Sequence, residues 1–159
     1  MARGNTWAVV AAVVLAVGLV FLFVSLGVFT RGASLASVGF HVGCVGTACN
    51  GRDPGVELCG VEPQTLLHEQ EPGGLGLEIR YNPLCRAAWA RVWNAVSGDK
   101  LTLTVPGQPE QSVTVEIAGK SDPFVYTSLV DVPGHGPAMR ACVTTSTGKV
   151  RSCFSTAQP

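Results

Sequence analysis

The first pattern along the chain is an unbroken apolar one, running without a charge from Trp7 to Phe29. At about 1.5 Å rise per residue, a helix over 7–29 spans the roughly 30 Å hydrocarbon core of a bilayer. The run is apolar on every side, whereas a helix of a globular domain carries one apolar stripe. It also exceeds the roughly 7 to 15 apolar residues of a signal-peptide core. These features predict a transmembrane helix, or uncleaved signal anchor, behind a short cytoplasmic N-terminus of residues 1–6. Ser34-Leu35-Ala36 is an acceptable cleavage sequence, so a secreted product of leader cleavage is the alternative. Residues 30–43 mix small and polar types without a period and read as a stalk.

Beyond the stalk the pattern changes. Cys44 to Pro72 is rich in Cys, Gly and Pro, with Asp53-Pro54-Gly55 as a turn, and its order is expected from covalent staples. Glu69 to Gly74 reads as a solvated loop. Leu77, Ile79 and Tyr81 then alternate with Glu78 and Arg80, the period of a half-buried strand. A helix is expected next, with Asn82 as its N-cap, Pro83 at the first helical position and Ser97-Gly98 as its stop. Within it Leu84, Ala88, Val92 and Val96 form one row and Cys85, Trp89 and Trp93 the adjacent one, facing the core, while Arg86, Arg91 and Asn94 fall outside. The C-terminal half reads as strands over 101–105, 112–118, 124–130, 139–145 and 150–155, separated by Pro- and Gly-containing turns. The predicted class is α+β: an N-terminal transmembrane helix, then a small disulfide-stapled antiparallel β domain, 44–159, covered by one amphipathic helix.

Composition sharpens this division. The chain is 47% hydrophobic and only 14% charged, and most of the excess apolarity is in the leader. Setting Arg3 and Arg31 aside, nine basic residues face eleven acidic ones after the leader. A surface with a formal charge of about −2 is a poor partner for nucleic acid. All six cysteines, Cys44, Cys49, Cys59, Cys85, Cys142 and Cys153, follow the apolar run. An even count confined to a small domain reads as a disulfide framework and puts that domain outside the cytoplasm. There is no Cys-x-x-Cys pair and no His at zinc-finger spacing, which argues against a metal site. Cys142 and Cys153 are symmetric about Thr147-Gly148, so a two-residue hairpin turn there sets them opposite each other, and they are the favoured pair. The other four cysteines keep three possible connectivities.

The segment Cys44 to Cys59, with Cys49-Asn50-Gly51-Arg52-Asp53-Pro54, followed by Leu77-Glu78-Ile79-Arg80-Tyr81-Asn82-Pro83-Leu84-Cys85-Arg86-Ala87-Ala88-Trp89-Ala90-Arg91, resembles a bacterial family of unknown function, the YjfA-like proteins. The resemblance spans roughly residues 44–155, and its distinctive motifs end at Arg91. It implies a secreted or membrane-tethered domain. Some members carry a helix-turn-helix domain ahead of the span. With six residues before the apolar run, no such cytoplasmic reader is expected here. The resemblance carries over no catalytic residue.

The remaining candidate chemistry is thin. His41, His68 and His135 are scattered, no Gly-x-Ser-x-Gly elbow is present, and Gly119-Lys120-Ser121 lacks the first glycine of a phosphate loop. Asn50, Asp53 and Glu57 offer too few oxygens for calcium and suit turns better. Trp89 and Trp93 could stack on a glycan, but the helical reading assigns both to the core. Glu78 with Arg80, Arg86 and Arg91 reads as a solvated polar patch. No catalytic residue, cofactor or metal is expected. The expected function is that of a membrane-tethered extracytoplasmic domain that binds an envelope protein or cell-wall component; the alternative is an extracytoplasmic hydrolase assembled from distant residues.

Overall fold

The computed structural model describes residues 41–116, 123–134 and 138–156. The expected cytoplasmic residues 1–6 and transmembrane helix 7–29 lie outside these, as does most of the stalk. Among the described residues no helix is long and apolar enough to cross a membrane.

Alternation, rather than a helical period, governs the domain. Its described elements are one short 3-10 helix, Gly46–Cys49, and nine strands: β1 Gln64–Gln70, β2 Gly76–Asn82, β3 Ala87–Trp93, β4 Lys100–Thr104, β5 Gln111–Thr114, β6 Phe124–Tyr126, β7 Val130–Asp131, β8 Arg140–Thr144 and β9 Val150–Ser155. They form two antiparallel sheets. The first has the order β1-β2-β3-β6, with β7 also on the outer edge of β3; the second has the order β5-β4-β8-β9. For the described residues the expected α+β class is therefore corrected to all-β.

The correction turns on residues 83–97. Asn82 does what an N-cap does: its Oδ1 accepts hydrogen bonds from the backbone N–H of Leu84 and Cys85, at 2.9 and 3.2 Å. The turn that follows does not propagate. Arg86 takes φ 50°, in the left-handed region, and Ala87 folds back to pair with Asn82. From there β3 pairs with β2 over seven successive positions, while its other edge is taken by β6 and β7. A helix would satisfy its own backbone but leave the facing edges of three strands without partners. The ladder overrides the helix propensity of Ala87, Ala88 and Ala90. Leu84 and Val96, expected to close the buried helical row, are exposed.

Both sheets bury one face in a common core. Leu77, Ile79, Ala88, Ala90 and Val92 come from the first, Leu101, Leu103, Ala141 and Val143 from the second. Most are fully enclosed, and each large side chain among them contributes about 1.5 to 3 kcal/mol relative to exposure. Other expected boundaries shift. The strand expected over 124–130 is two short strands interrupted at Thr127–Leu129, and the loop expected at 69–74 starts inside β1.

The structure pairs Cys44 with Cys49, Cys59 with Cys85, and Cys142 with Cys153. The last two face each other across β8 and β9 by a route other than a simple two-residue turn. Thr145 and Lys149 close a three-residue loop, in which Gly148 adopts φ 81°. A register shift then falls between Val143 and Thr144, at the extra residue Arg151, and restores Cys142 opposite Cys153. Their Cα atoms are 4.1 Å apart, close to the narrow, non-hydrogen-bonded spacing of a ladder.

Candidate functional site

Because β3 is a strand, Trp89, Arg91 and Trp93 share a face that Ala88, Ala90 and Val92 do not. That face looks away from the core. On neighbouring β2 the same side carries Gly76, Glu78, Arg80 and Asn82. The register stacks these residues into rows across the sheet. His68, Glu78, Arg91 and Tyr126 form one row over β1, β2, β3 and β6; Gln70, Gly76, Trp93 and Phe124 form another; and Thr65, Arg80 and Trp89 a third.

Glu78 is the centre of the first row and is only 6% exposed. Arg91 Nε donates to its Oε2 at 2.6 Å and Arg80 Nη1 to the same oxygen at 3.0 Å, while His68 Nδ1 donates to Oε1 at 2.7 Å. Burial by itself would raise the carboxyl pKa. The hydrogen bonds from Arg91, His68 and Arg80, with the charge of Arg91, outweigh it and hold the group at about 2. Glu78 is thus ionised at neutral pH, an anchor for cations rather than a proton donor. Among the described residues, Arg80 Nε is buried without a hydrogen-bond partner.

Aromatic rings frame this cluster. The Arg91 guanidinium lies over the Phe124 ring, 4.3 Å from its centroid. Trp93 stands edge-on to Phe124 at 5.8 Å and is flanked by His68 at 5.5 Å. Gly76 makes room for it: a Cβ there would lie 1.8 Å from the indole, so any side chain opposite Trp93 must displace the ring.

The irregular segment before β1 closes one end of the face. Cys44, Cys49, Cys59 and Cys85 form a second buried cluster with Ala87, Trp89 and Leu129. Asn82 ties it down by donating from Nδ2 to the carbonyls of Cys59 and Val61. Asn50 Oδ1 accepts from Asp131 N, Asp53 Oδ1 accepts from Gly55 N and Val56 N, and Glu57 pairs with Arg52. All three possible calcium ligands thus have other partners. The sulfurs of Cys44, Cys49 and Cys59 lie within 4.8 Å of one another, but each is spent in a disulfide, which removes the thiolate a metal needs.

Where this segment ends, a surface groove of about 200 Å³ opens. The segment contributes Pro54, Gly55, Gly60 and Pro63, and the sheet contributes Arg80, Trp89, Arg91, Phe124 and Tyr126. Of the polar patch considered from the sequence, Glu78, Arg80 and Arg91 come together, while Arg86 sits at the β2–β3 turn near Gly46 and Asp131. Trp93 is not a core residue, and Trp89 is buried among the cystines rather than between the sheets. His68 joins the site; His41 lies exposed at the start of the described chain, and His135 is outside the described residues. The signal that could have found the site is Glu78-x-Arg80 followed, after a Pro83-containing turn, by Trp89-x-Arg91-x-Trp93, the two-residue period of a hairpin with opposite charges facing each other.

Residues 47–142 match the model of a family described as protein of unknown function (DUF2690). No curated protein and no solved structure matches.

Proposed function

Since the chain belongs to the DUF2690 family, whose function is unknown, we propose from the geometry of its outer face that it is a non-catalytic recognition domain working outside the cytoplasm. Its ligand is a component of the cell envelope, held in the groove beside Arg80 and Arg91. The observation that carries this reading is the placement of large aromatic side chains and two arginines around a buried carboxylate, on the side of the sheet turned away from the core between the sheets. Burying Glu78 costs desolvation that a solvated Thr or Ser at the same position would not incur. A face built for stability alone has no need of it.

Three disulfides in a domain of this size support an oxidising compartment. The charge-free run 7–29 is the segment that would deliver the domain there, as a retained tether or as a cleaved leader. The finer likeness to the YjfA-like proteins agrees with such an address. Glu78, ionised at neutral pH, is unsuited to serve as the general acid of a hydrolase.

The test is co-sedimentation of the full chain, disulfides intact and held in neutral detergent, with isolated cell envelopes stripped of lipid, so that the apolar run 7–29 cannot by itself carry the protein into the pellet. Wild type is expected in the pellet and Arg91→Gln in the supernatant. Equal sedimentation of the two, or none by wild type, removes the groove as the binding site. Protease added to intact spheroplasts is expected to degrade the domain; protection would contradict the address.

A further inference from the structure

Taking the groove as the binding site, we propose that its ligand is an acidic polysaccharide, with a sugar ring laid against the aromatic wall and a carboxylate held by the arginines. This deepens the preceding reading and depends on it.

Arg80 and Arg91 share one carboxylate, that of Glu78, so the cluster carries a surplus positive charge within a domain whose formal charge is about −2. Among the described residues, the Arg91 side chain makes one hydrogen bond to protein, through Nε. Its Nη1 and Nη2 have no hydrogen-bond acceptor among the described residues, and they form the fork that matches a carboxylate in two parallel bonds. Arg80 spends Nη1 on Glu78, and its buried Nε lies out of a ligand's reach. Glu78 holds both guanidinium groups in place before a ligand arrives, which lowers the ordering cost of binding.

The shape of the groove selects among anions. Tyr126, 38% exposed, lies beside Arg91 across the β3–β6 ladder, and Phe124 and Pro63 line the same groove, where Trp89 is almost wholly buried. Rings of this kind offer a flat apolar surface beside a polar edge. A pyranose ring presents the matching pair, an apolar C–H face and, in an acidic sugar, a carboxylate on its rim. An acidic polypeptide supplies the charge on flexible side chains and makes no use of the flat wall. A nucleic acid strand would stack, but its affinity rests on several phosphate contacts, and this groove offers about one surplus charge.

The experiment is affinity electrophoresis of the full oxidised chain in neutral detergent, through gels containing polygalacturonate, its methyl ester, poly-glutamate or single-stranded poly-dT. Polygalacturonate is expected to retard the protein, and the ester and poly-glutamate to do so at least about tenfold more weakly. Arg91→Gln and Tyr126→Ala should each weaken retardation by about tenfold. The Tyr126 variant keeps Glu78 and both arginines, and near-ultraviolet circular dichroism confirms that each variant is folded. Equal retardation by poly-glutamate or poly-dT overturns the proposal in favour of an acidic peptide or a nucleic acid, and equal retardation by the ester removes the carboxylate. If envelopes bind through Arg91 but polygalacturonate does not, the ligand class falls and the site stands. If neither binds, both fall.

Discussion

The outer faces of the two sheets are built from the same backbone and opposite materials. In the second sheet, Lys100, Thr102 and Thr104 of β4 alternate with buried Leu101 and Leu103, and their neighbours across the ladder are Ser112, Thr114, Thr144, Arg140 and the Cys142–Cys153 pair. These are small, β-favouring or charged residues that a solvated face tolerates at little cost. The first sheet alternates as strictly, with Leu77 and Ile79 buried, yet turns Glu78, Arg80, Trp89, Arg91 and Trp93 outward. Two faces that contribute equally little to the shared core differ in how much desolvation and side-chain ordering they carry. The costlier face is the one to read for function.

The cystines divide in the same way, and removing them should separate the faces most sharply. Cys59–Cys85 closes a separation of 26 residues and is fully buried in one cluster with Trp89, whereas Cys142–Cys153 closes 11 and is partly exposed. Replacing the first pair by Ala is expected to cost about 4 kcal/mol and the second about 2 to 3, read from urea unfolding midpoints. Envelope binding should be lost with the first and kept with the second. The opposite order would assign the structural burden to the second sheet.

Glu78→Gln comes next. It leaves two guanidinium groups close together without their anion, and a loss of about 2 to 3 kcal/mol is expected at pH 7. The acid response should change as well. Because the folded-state pKa lies near 2 rather than at the usual 4.5, the stability Glu78 contributes is fully present above pH 4.5 and disappears as pH falls toward 2. Unfolding midpoints measured across that window should drop in wild type, with a shallower drop in the variant.

Gly76→Ala should cost about 1 to 3 kcal/mol, because the added methyl must push the Trp93 ring aside. Displaced indole fluorescence would report it. On the second sheet, Lys100→Ser alters an exposed side chain and should stay within about 0.5 kcal/mol of wild type, with binding unchanged. An effect on binding there would erase the contrast between the faces.

Much of the strand architecture was legible in the chain. The alternation at 77–81 marks β2, and the expected strands at 101–105, 139–145 and 150–155 each fall on an observed one. The site was not legible, and one segment explains why. Residues 84–96 satisfy two periods at once: counted by fours they make an apolar helical row, and counted by twos they put Ala88, Ala90 and Val92 on one side with Trp89, Arg91 and Trp93 on the other. Asn82 strengthened the wrong choice, because an Asx turn opening a four-residue hairpin loop presents the same side-chain bond as a helix cap. Reading the segment as a helix put the tryptophans in the core and scattered the arginines over solvent, so the cluster around Glu78 had no place to form.

What the sequence determined by itself is local and compositional. The charge-free run at 7–29, the even set of cysteines beyond it, the turns rich in Gly and Pro, and the alternating strands each depend on neighbours in the chain. The tertiary structure decided whether 87–93 would be helix or strand, because only the presence of β2 on one side and β6 and β7 on the other supplies the backbone partners that make an extended conformation the better one. That decision fixed which side chains share a face. It brought His68, Glu78, Arg91 and Tyr126 from four strands into a single row, a proximity that depends on register across the sheet and leaves no mark on any one stretch of sequence.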